Sequence, residues 1–209
     1  MYPIFLDLTS DIHLCGDLSV DVPLFLVQHG CSRAAAHCAR VSCLAFRLAR
    51  RFGLDPPAAA AAGWLHDISA VFLNAVRIET ARQLGLEVLP AEEPHPKLVH
   101  QKLSAAMAEQ IFGITDPGIL SAIGCHTTLK PGSSALDQVV FVADKIGWDE
   151  PGRPPYDVEI RAALDISLEQ AALVYLDYIH RTLPVLHPWA QAAREELSGI
   201  PVDAATKEK

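Results

Sequence analysis

The sequence lacks the paired cysteines that a disulfide framework or a thiolate zinc site requires. It has five cysteines, an odd number, and no Cys-x-x-Cys pair occurs among them. We therefore interpret them as small core or boundary residues in a reducing cytoplasm. The N-terminal MYPIFLDLTSDIH also lacks a basic leader followed by a long apolar stretch. For that reason we expect no secretory signal and a cytoplasmic location.

Long apolar runs and a basic excess are absent as well. Runs such as 58–65 are far shorter than the roughly 20 residues that a membrane-spanning helix needs, so we expect no membrane partner. The formal net charge of −8 argues against nucleic-acid binding, which requires a basic surface. An anionic small molecule stays compatible with this charge, because a bound metal can supply a local positive field.

Alternating strand patterns, internal repeats and low-complexity blocks are also missing, whereas helix starts and stops recur throughout the chain. Half of the 209 residues are apolar, which is enough for one buried core. We predict one domain over 1–209, with its core at about 18–182 and short extensions at both ends. The predicted class is all-α, a bundle of roughly eight helices. These helices cover about 32–52, 56–66, 74–84, 96–112, 117–126, 134–146, 158–182 and 189–197. The apolar face of 158–182 offers a surface for a homodimer.

Six ionisable side chains fall on the apolar faces or at the ends of these helices. His37 shares a helical face with Val41 and Leu48, and His100 shares one with Leu103. Buried ionisable groups are costly unless they are paired or coordinate a metal, so several of them on inward faces require a common partner. The six are His37, His66, Asp67, His100, His126 and Asp144.

Taken singly, none of these residues identifies a site. A lone histidine on an apolar stripe is more often a hydrogen-bonded core residue. A His-Asp dipeptide occurs by chance in many chains, and Asp144 could simply cap its helix or face solvent. The informative feature is their order along five helices, which is His, His-Asp, His, His and Asp.

This order resembles the ligand pattern of the HD superfamily of metal-dependent phosphohydrolases. The segments that carry the resemblance are HCARV, RRFGLDPPAAAAAGWLHDIS, VHQKLSAAMA, CHTTLKPG and VVFVADKIGWDEPGRPPYD, within roughly 18–181. Together they are most similar to the bacterial symmetrical bis(5′-nucleosyl)-tetraphosphatase branch. Members of that branch cleave diadenosine tetraphosphate into two ADP at an iron-containing dimetal centre.

The resemblance implies an all-α HD bundle with a buried dimetal site and a nucleotide as the small-molecule substrate. Iron is the expected metal, and manganese or zinc would also suit imidazole and carboxylate ligands. A hydroxide shared by the two metals would attack a phosphorus in line with the leaving phosphate. The implied ligands are His37, His66, Asp67 and Asp144 for one metal, and His100 and His126 for the second, with Asp67 bridging the two.

Lysines beside the last two motifs extend this set. We expect Asp67, Lys130 and Lys145 to be catalytic, and Lys130 and Lys145 also to contact the substrate phosphates. Thr127 offers a hydroxyl for a phosphate, and Arg33 lies one turn before the first ligand. An ordinary surface lysine or helix-end threonine is the competing interpretation.

The chain also departs from the family pattern. Ala70 stands where many members have a lysine, and Lys130 follows Leu129 where the fourth motif often continues with Gly-Arg. Lys145 replaces a tyrosine that often follows the last aspartate. The nucleotide therefore stays open. The alternatives are an HD phosphohydrolase acting on a mononucleotide or a guanosine alarmone, a non-catalytic nucleotide sensor, and a purely structural bundle.

Overall fold

The computed structural model describes residues 2–199, which form eleven α-helices and two short 3₁₀ segments, with no β-strand among them. The all-α prediction is therefore confirmed. The first six helices are α1 (Pro3–Thr9), α2 (Leu18–Gln28), α3 (Ser32–Arg51), α4 (Pro56–Leu65), α5 (Asn74–Gln83) and α6 (His100–Gln110). The others are α7 (Pro117–Cys125), α8 (Ala135–Ile146), α9 (Asp157–Leu164), α10 (Leu168–Thr182) and α11 (Pro188–Ser198). The 3₁₀ segments are Ile68–Val71 and Pro96–Val99.

The structure has three more helices than the roughly eight that the sequence predicted. Two of them, α1 and α2, precede the first predicted helix, and the predicted helix 158–182 is divided into α9 and α10. The division has a local cause, because the Ser167 side chain accepts a hydrogen bond from the Gln170 N–H and starts a new helix. Asp17 caps α2 in the same way through the Ser19 N–H.

Helix α8 lies between two apolar clusters. Its Phe141 is fully buried in a cluster with residues of α3, α9, α10 and α11, and its Val140 is fully buried in a cluster with residues of α1, α2, α4, α6 and α7. Burying a side chain of this size stabilises the fold by about 1.5–3 kcal/mol. Because both faces of α8 are covered, its last turn is held firmly among the neighbouring helices.

Helices α3 and α4 approach each other closely at Gly63. A Cβ atom added to Gly63 would lie 2.6 Å from the Cα of Ser42 on α3. Only glycine fits such an approach of two backbones. The contact brings His37 of α3 and His66 at the end of α4 together, with ring centroids 5.0 Å apart.

The terminal helices pack onto this core. Phe5 of α1 is fully buried, and Ala190 and Ala193 of α11 are buried as well. The single-domain boundary stays a prediction, and residues 200–209 at its C-terminal end lie outside the described residues. No single helix among residues 2–199 combines the length and apolar character needed to cross a membrane, and one bent pair, Pro56–Val71 with Asn74–Gln83, meets that test on length and composition alone.

The apolar face of α10 is used within the chain itself. Leu168, Ala171, Ala172 and Leu176 of this helix are all buried in the core. The homodimer therefore stays a prediction, and the surface on which it depended is already covered by the chain's own residues.

Asp21 of α2 fixes the loop that precedes its helix. The carboxylate is buried and accepts hydrogen bonds from the N–H groups of Cys15 at 2.9 Å and Gly16 at 2.8 Å. Burial alone would raise the pKa of Asp21, but these bonds outweigh it and lower that pKa below its ordinary value. The ionised carboxylate therefore stabilises the folded state.

We expect Asp21→Asn to lower the free energy of unfolding by about 1–3 kcal/mol at neutral pH, because it removes a buried, charge-assisted acceptor of two backbone N–H groups. The folded-state pKa lies below the unfolded value of about 3.9, so this contribution is present above that pH and is lost as the pH falls further. Urea unfolding of wild type and variant at pH 7 measures the loss of stability, and the same experiment at about pH 3 measures how far that difference disappears. Asp11→Asn, at an exposed position, is the matched control. Equal stability of Asp21→Asn and wild type at pH 7 would contradict this role.

Candidate metal centre

Helix faces and helix ends bring the six candidate ligands to one place between α3, α4, α6, α7 and α8. Most of these residues lie at helix ends, from which side chains of several helices can point to a common centre. The positions are His37 in α3, His66 at the end of α4, Asp67 at the start of the following 3₁₀ segment, His100 at the start of α6, His126 at the end of α7, and Asp144 in the last turn of α8.

Asp67 lies between two groups of donor atoms. Its Oδ1 is 3.1 Å from Nε2 of His100 and 3.6 Å from Nε2 of His126. Its Oδ2 is 3.7 Å from Nε2 of His66 and 4.0 Å from Nε2 of His37. Within each group the donor atoms lie no more than 4.8 Å apart, so each group has the spacing to hold a metal ion. Asp67 belongs to both groups.

Asp144 adds a second carboxylate to the group that contains His37 and His66. Its Oδ1 lies 2.9 Å from Nε2 of His37 and 3.5 Å from Nε2 of His66. The second group is equally close, since Nε2 of His100 is 2.9 Å from Nε2 of His126. The structure thus brings together all six side chains that the sequence singled out.

The hydrogen bonds of the rings indicate that this donor set fits a cation. In His66, His100 and His126, Nδ1 donates to the backbone carbonyl three residues earlier, at 2.8, 2.5 and 2.8 Å respectively. Nε2 of each ring is therefore directed to the centre, where it would offer its lone pair to a bound cation. Nε2 of His66 is buried and has no hydrogen-bond partner within residues 2–199. Lone pairs this close to one another and to two carboxylates repel unless positive charge lies between them, and imidazole with carboxylate is a donor set that divalent transition metals accept.

The protonation states of both carboxylates and of His126 also suit metal binding, whereas burial lowers the pKa of His66 but Asp67 outweighs this and raises it, so a cation would displace a proton there. Burial alone would raise the pKa of Asp67, but the neighbouring imidazoles, His66 first, hold it well below its usual range. Burial also opposes ionisation of Asp144, and Lys145 with His37 holds the pKa of Asp144 well below its usual range. Burial lowers the pKa of His126 to about 4. Near neutral pH both carboxylates are therefore charged and His126 is a neutral ligand.

A comparison with known families decides the assignment. The HD domain model matches residues 34–149, more than half of the chain, and this segment contains all six candidate ligands. The chain belongs to the HD-domain phosphohydrolases. Its buried cluster of histidines and aspartates is typical of the metal site of that family.

Relatives of this HD protein include both named and unnamed proteins. A Lactococcus lactis subsp. cremoris protein, described only by its place in the pepC 5′ region, is 46% identical over 65% of this chain and 70% of its own length. The symmetrical bis(5′-nucleosyl)-tetraphosphatase of Bacillus subtilis is 33% identical over 66% of this chain and 72% of its own length. A crystal structure from Clostridium acetobutylicum, described as a predicted HD superfamily hydrolase involved in NAD metabolism, superposes with a TM-score of 0.76. It is 28% identical and covers 85% of this chain and 95% of its own.

A buried glutamine, which the sequence analysis missed, positions two ligands of the HD centre. Gln101 is fully buried, and its Oε1 accepts the N–H of Thr127 at 3.0 Å, next to His126. Its Nε2 donates to the hydroxyl of Thr128 at 3.0 Å. Since Gln101 follows His100 in the chain, it joins the start of α6 to the end of α7. Its place beside a histidine was visible in the sequence, but its long-range partners were not.

Two buried serines connect the His-Asp turn to α6 and were also missed. The hydroxyl of Ser69 donates to the carbonyl of His100 at 2.8 Å, and the hydroxyl of Ser104 donates to Ser69 at 2.9 Å. The N–H of Ser69 donates in turn to the hydroxyl of Ser104 at 3.2 Å. These bonds fix the turn that carries Asp67 against the helix that carries His100.

Two of the predicted substrate or catalytic residues contact the ligands directly. Nζ of Lys145 lies 2.6 Å from Oδ2 of Asp144 and donates to the carbonyl of His126 at 3.2 Å. The hydroxyl of Thr127 lies 3.2 Å from Nε2 of His100. Thr127 therefore lies at the centre and Lys145 lies against Asp144, and the substrate contacts of both and the catalytic role of Lys145 stay predictions.

The other two predicted contacts lie elsewhere. Arg33 is largely exposed and pairs with Asp149 at 3.0 Å and with Glu150 at 2.8 Å. Nζ of Lys130 donates to the hydroxyl of Ser121 at 2.7 Å, in a cavity that no candidate ligand lines. The phosphate contacts of both residues stay predictions, and for Lys130 the surrounding geometry offers no support.

Proposed function

We propose that this HD phosphohydrolase cleaves dinucleoside polyphosphates, in particular diadenosine tetraphosphate, into nucleoside diphosphates. The observation that carries the proposal is the sharing of Asp67 between two donor groups, which gives the spacing for a pair of ions. Two-metal centres are common in phosphoester and phosphoanhydride hydrolysis. The name of the Bacillus subtilis relative supports the choice of substrate.

Each residue has a separate task in this proposal. His37, His66 and Asp144 would hold one ion and His100 with His126 the second, and the carboxylate of Asp67 would contribute to both. When bound, the ions would supply a low-pKa water and neutralise charge on phosphate oxygens. Iron is the proposed metal, and manganese or zinc is compatible with the same donors.

Two residues next to the ligands would support the reaction. Burial lowers the pKa of Lys145, but the Asp144 carboxylate outweighs this and raises it, so the ammonium stays charged. It holds Oδ2 of Asp144 and leaves Oδ1 facing His37. The Thr127 hydroxyl, 3.2 Å from His100 Nε2, is placed to donate a hydrogen bond to a phosphate oxygen.

A nucleotide panel tests the proposal on protein purified anaerobically and reconstituted with iron or manganese. The panel contains diadenosine tetraphosphate, several mononucleotides, a guanosine alarmone and NAD. We expect diadenosine tetraphosphate to be the preferred substrate and ADP to be its only nucleotide product, because symmetrical cleavage yields two identical halves. Chromatography of the products distinguishes this from asymmetrical cleavage to ATP and AMP.

The same panel separates the alternatives. Turnover confined to mononucleotides or the alarmone would contradict the dinucleotide assignment. It would leave the assignment as an HD phosphohydrolase intact. Binding of diadenosine tetraphosphate by metal-loaded protein without any hydrolysis would favour the sensor. Metal-free protein serves as the control for contaminating enzymes.

A further inference from the structure

A largely apolar cavity of about 390 Å³ lies beside the metal centre. Its walls come from the 3₁₀ segment Pro96–Val99, the turn after α7, helix α10 and the segment 183–187 that leads to α11. Leu98, Tyr175, Ile179 and Leu186 supply apolar and aromatic surface. Cavities of this size and character are typical of sites for small organic ligands.

Two lining residues of this cavity contact a candidate metal ligand. Thr127 lines the cavity, and its hydroxyl lies 3.2 Å from Nε2 of His100. Lys97 also lines it, and the Lys97 carbonyl accepts the Nδ1–H of His100 at 2.5 Å. The wall of the cavity is therefore built from the same residues that orient a metal ligand. A ligand in the cavity would reach the centre by passing Thr127.

The lining matches the chemistry of a nucleoside joined to phosphates. A base has two flat apolar faces, which can pack on the Tyr175 ring and on aliphatic side chains such as Ile179. Lys97 also lines the cavity and brings a positive charge that suits a phosphate chain.

A second cavity of about 430 Å³ is less suitable for the same ligand. Glu87 and Glu109 add negative charge to its wall. Of its lysines, Lys102 bonds to Glu92 and Lys130 bonds to Ser121. An anionic ligand bound there would lie against carboxylates.

We propose that the cavity lined by Thr127, Tyr175 and Ile179 binds one nucleoside of the substrate, with the phosphate chain running past Thr127 to the metal centre. The inference rests on the proposed function for the identity of the substrate. Its location rests on the cavity itself, so it can be tested by binding without any hydrolysis.

Photolabelling of metal-loaded wild-type protein with 8-azido-ADP tests the location directly. We expect labelled peptides from the cavity walls, in the 96–99 segment, α10 or 183–187, and we expect excess ADP to prevent the labelling. Labelling in the second cavity, around Leu120 and Glu109, would overturn the proposal, and so would labelling that ADP does not prevent.

The substitution Ile179→Trp tests the same site by filling it. Ile179 is half-buried on α10 and lines the cavity, whereas the next residue, His180, is exposed and does not. We expect Ile179→Trp to weaken ADP binding about tenfold in calorimetry, and to raise the KM for diadenosine tetraphosphate, at unchanged metal content. His180→Trp is the matched control and should bind ADP as wild type does.

The possible failures can be told apart. ADP affinity of Ile179→Trp equal to that of wild type, in protein that circular dichroism shows to be folded, would overturn the nucleoside site and leave the hydrolase assignment intact. Competed photolabelling of the cavity in a protein that does not cleave diadenosine tetraphosphate would support the site and overturn the proposed function. If Ile179→Trp does not fold, the wild-type photolabelling still decides the question.

Discussion

Asp67→Ala is expected to lose phosphohydrolase activity by about a thousandfold or more, because several kcal/mol of transition-state stabilisation depends on the metal pair. Asp67 is the only one of the six ligands that belongs to both donor groups found in residues 2–199. Its two oxygens lie 3.1 Å from His100 Nε2 and 3.7 Å from His66 Nε2. Removing it takes a negative charge and a shared ligand from both ions at once.

The helical fold should persist in this variant. The Asp67 side chain is 27% exposed and lies outside both apolar clusters, so its loss removes little packing. The change also removes a carboxylate whose burial is costly without a cation. Metal analysis, circular dichroism and turnover of diadenosine tetraphosphate measure the three outcomes.

The matched control for Asp67→Ala is Asp165→Ala. Asp165 is a carboxylate whose side chain is 78% exposed and pairs with Arg51 at the surface. An exposed pair of this kind contributes at most about 1 kcal/mol, so metal content and activity should equal those of wild type. Undiminished turnover by purified Asp67→Ala, with contaminating enzyme excluded, would contradict the bridging role.

Gly63→Ala is expected to destabilise the fold by about 3 kcal/mol or more, at the upper end of the range for overpacking. The new Cβ would lie 2.6 Å from Cα and 2.8 Å from N of Ser42, and 3.1 Å from the carbonyl carbon of Val41. All three atoms belong to the backbone of α3, so no side chain can rotate away and the two helices must separate.

The separation should also weaken metal binding. The Gly63 carbonyl accepts the Nδ1–H of His66 at 2.8 Å, and Ser42 lies on the same helix as His37. A shift of α4 against α3 would therefore move two ligands relative to each other. Urea unfolding and metal titration of the same preparation measure the two effects.

Gly124→Ala provides a control in an equivalent setting. Gly124 lies within α7 two residues before His126, and an added Cβ would lie 3.7 Å from the Cβ of Ala105, an ordinary contact. Because alanine favours a helix over glycine by up to about 1 kcal/mol, this variant should be as stable as wild type or more so. Equal stability of the Gly63→Ala and Gly124→Ala variants would show that the close approach at Gly63 is not a constraint.

Much of the helical framework could be predicted because its signals are local. The predicted helices 56–66 and 117–126 each follow an aspartate and begin with proline, and the side chains of Asp55 and Asp116 cap them in the structure. Gly53, Gly85 and Gly113 follow helices and have positive φ values of 69°, 71° and 68°. Such features depend on a few neighbouring residues and can be read without any tertiary contact.

The prediction of helix number was less accurate where a cap interrupts an apolar pattern. The spacing of apolar residues continues through 158–182, and the break at Ser167 is marked by a single capping side chain. The short helix α1 has no side-chain cap and is held by the burial of Phe5. Tertiary packing decides such elements, and a local pattern does not contain it.

The candidate ligands could be selected from the sequence, but the residues that support them could not. The order of histidines and aspartates pointed to one site, and all six meet there. The contacts of Gln101 with Thr127 and of Ser69 with His100 join residues that are 26 and 31 positions apart in the sequence. The same limit applies to Lys130, which follows a motif in the chain yet bonds to Ser121 in a separate cavity.

Metal analysis of anaerobically purified protein tests the shared inorganic centre most directly, when wild type and Asp67→Ala are measured side by side. The geometry predicts two transition-metal ions per wild-type chain after reconstitution, and a loss of most of this metal in the variant. Wild-type protein that binds no transition metal even after reconstitution would contradict the account, and the imidazoles and carboxylates would then be residues of a purely structural bundle.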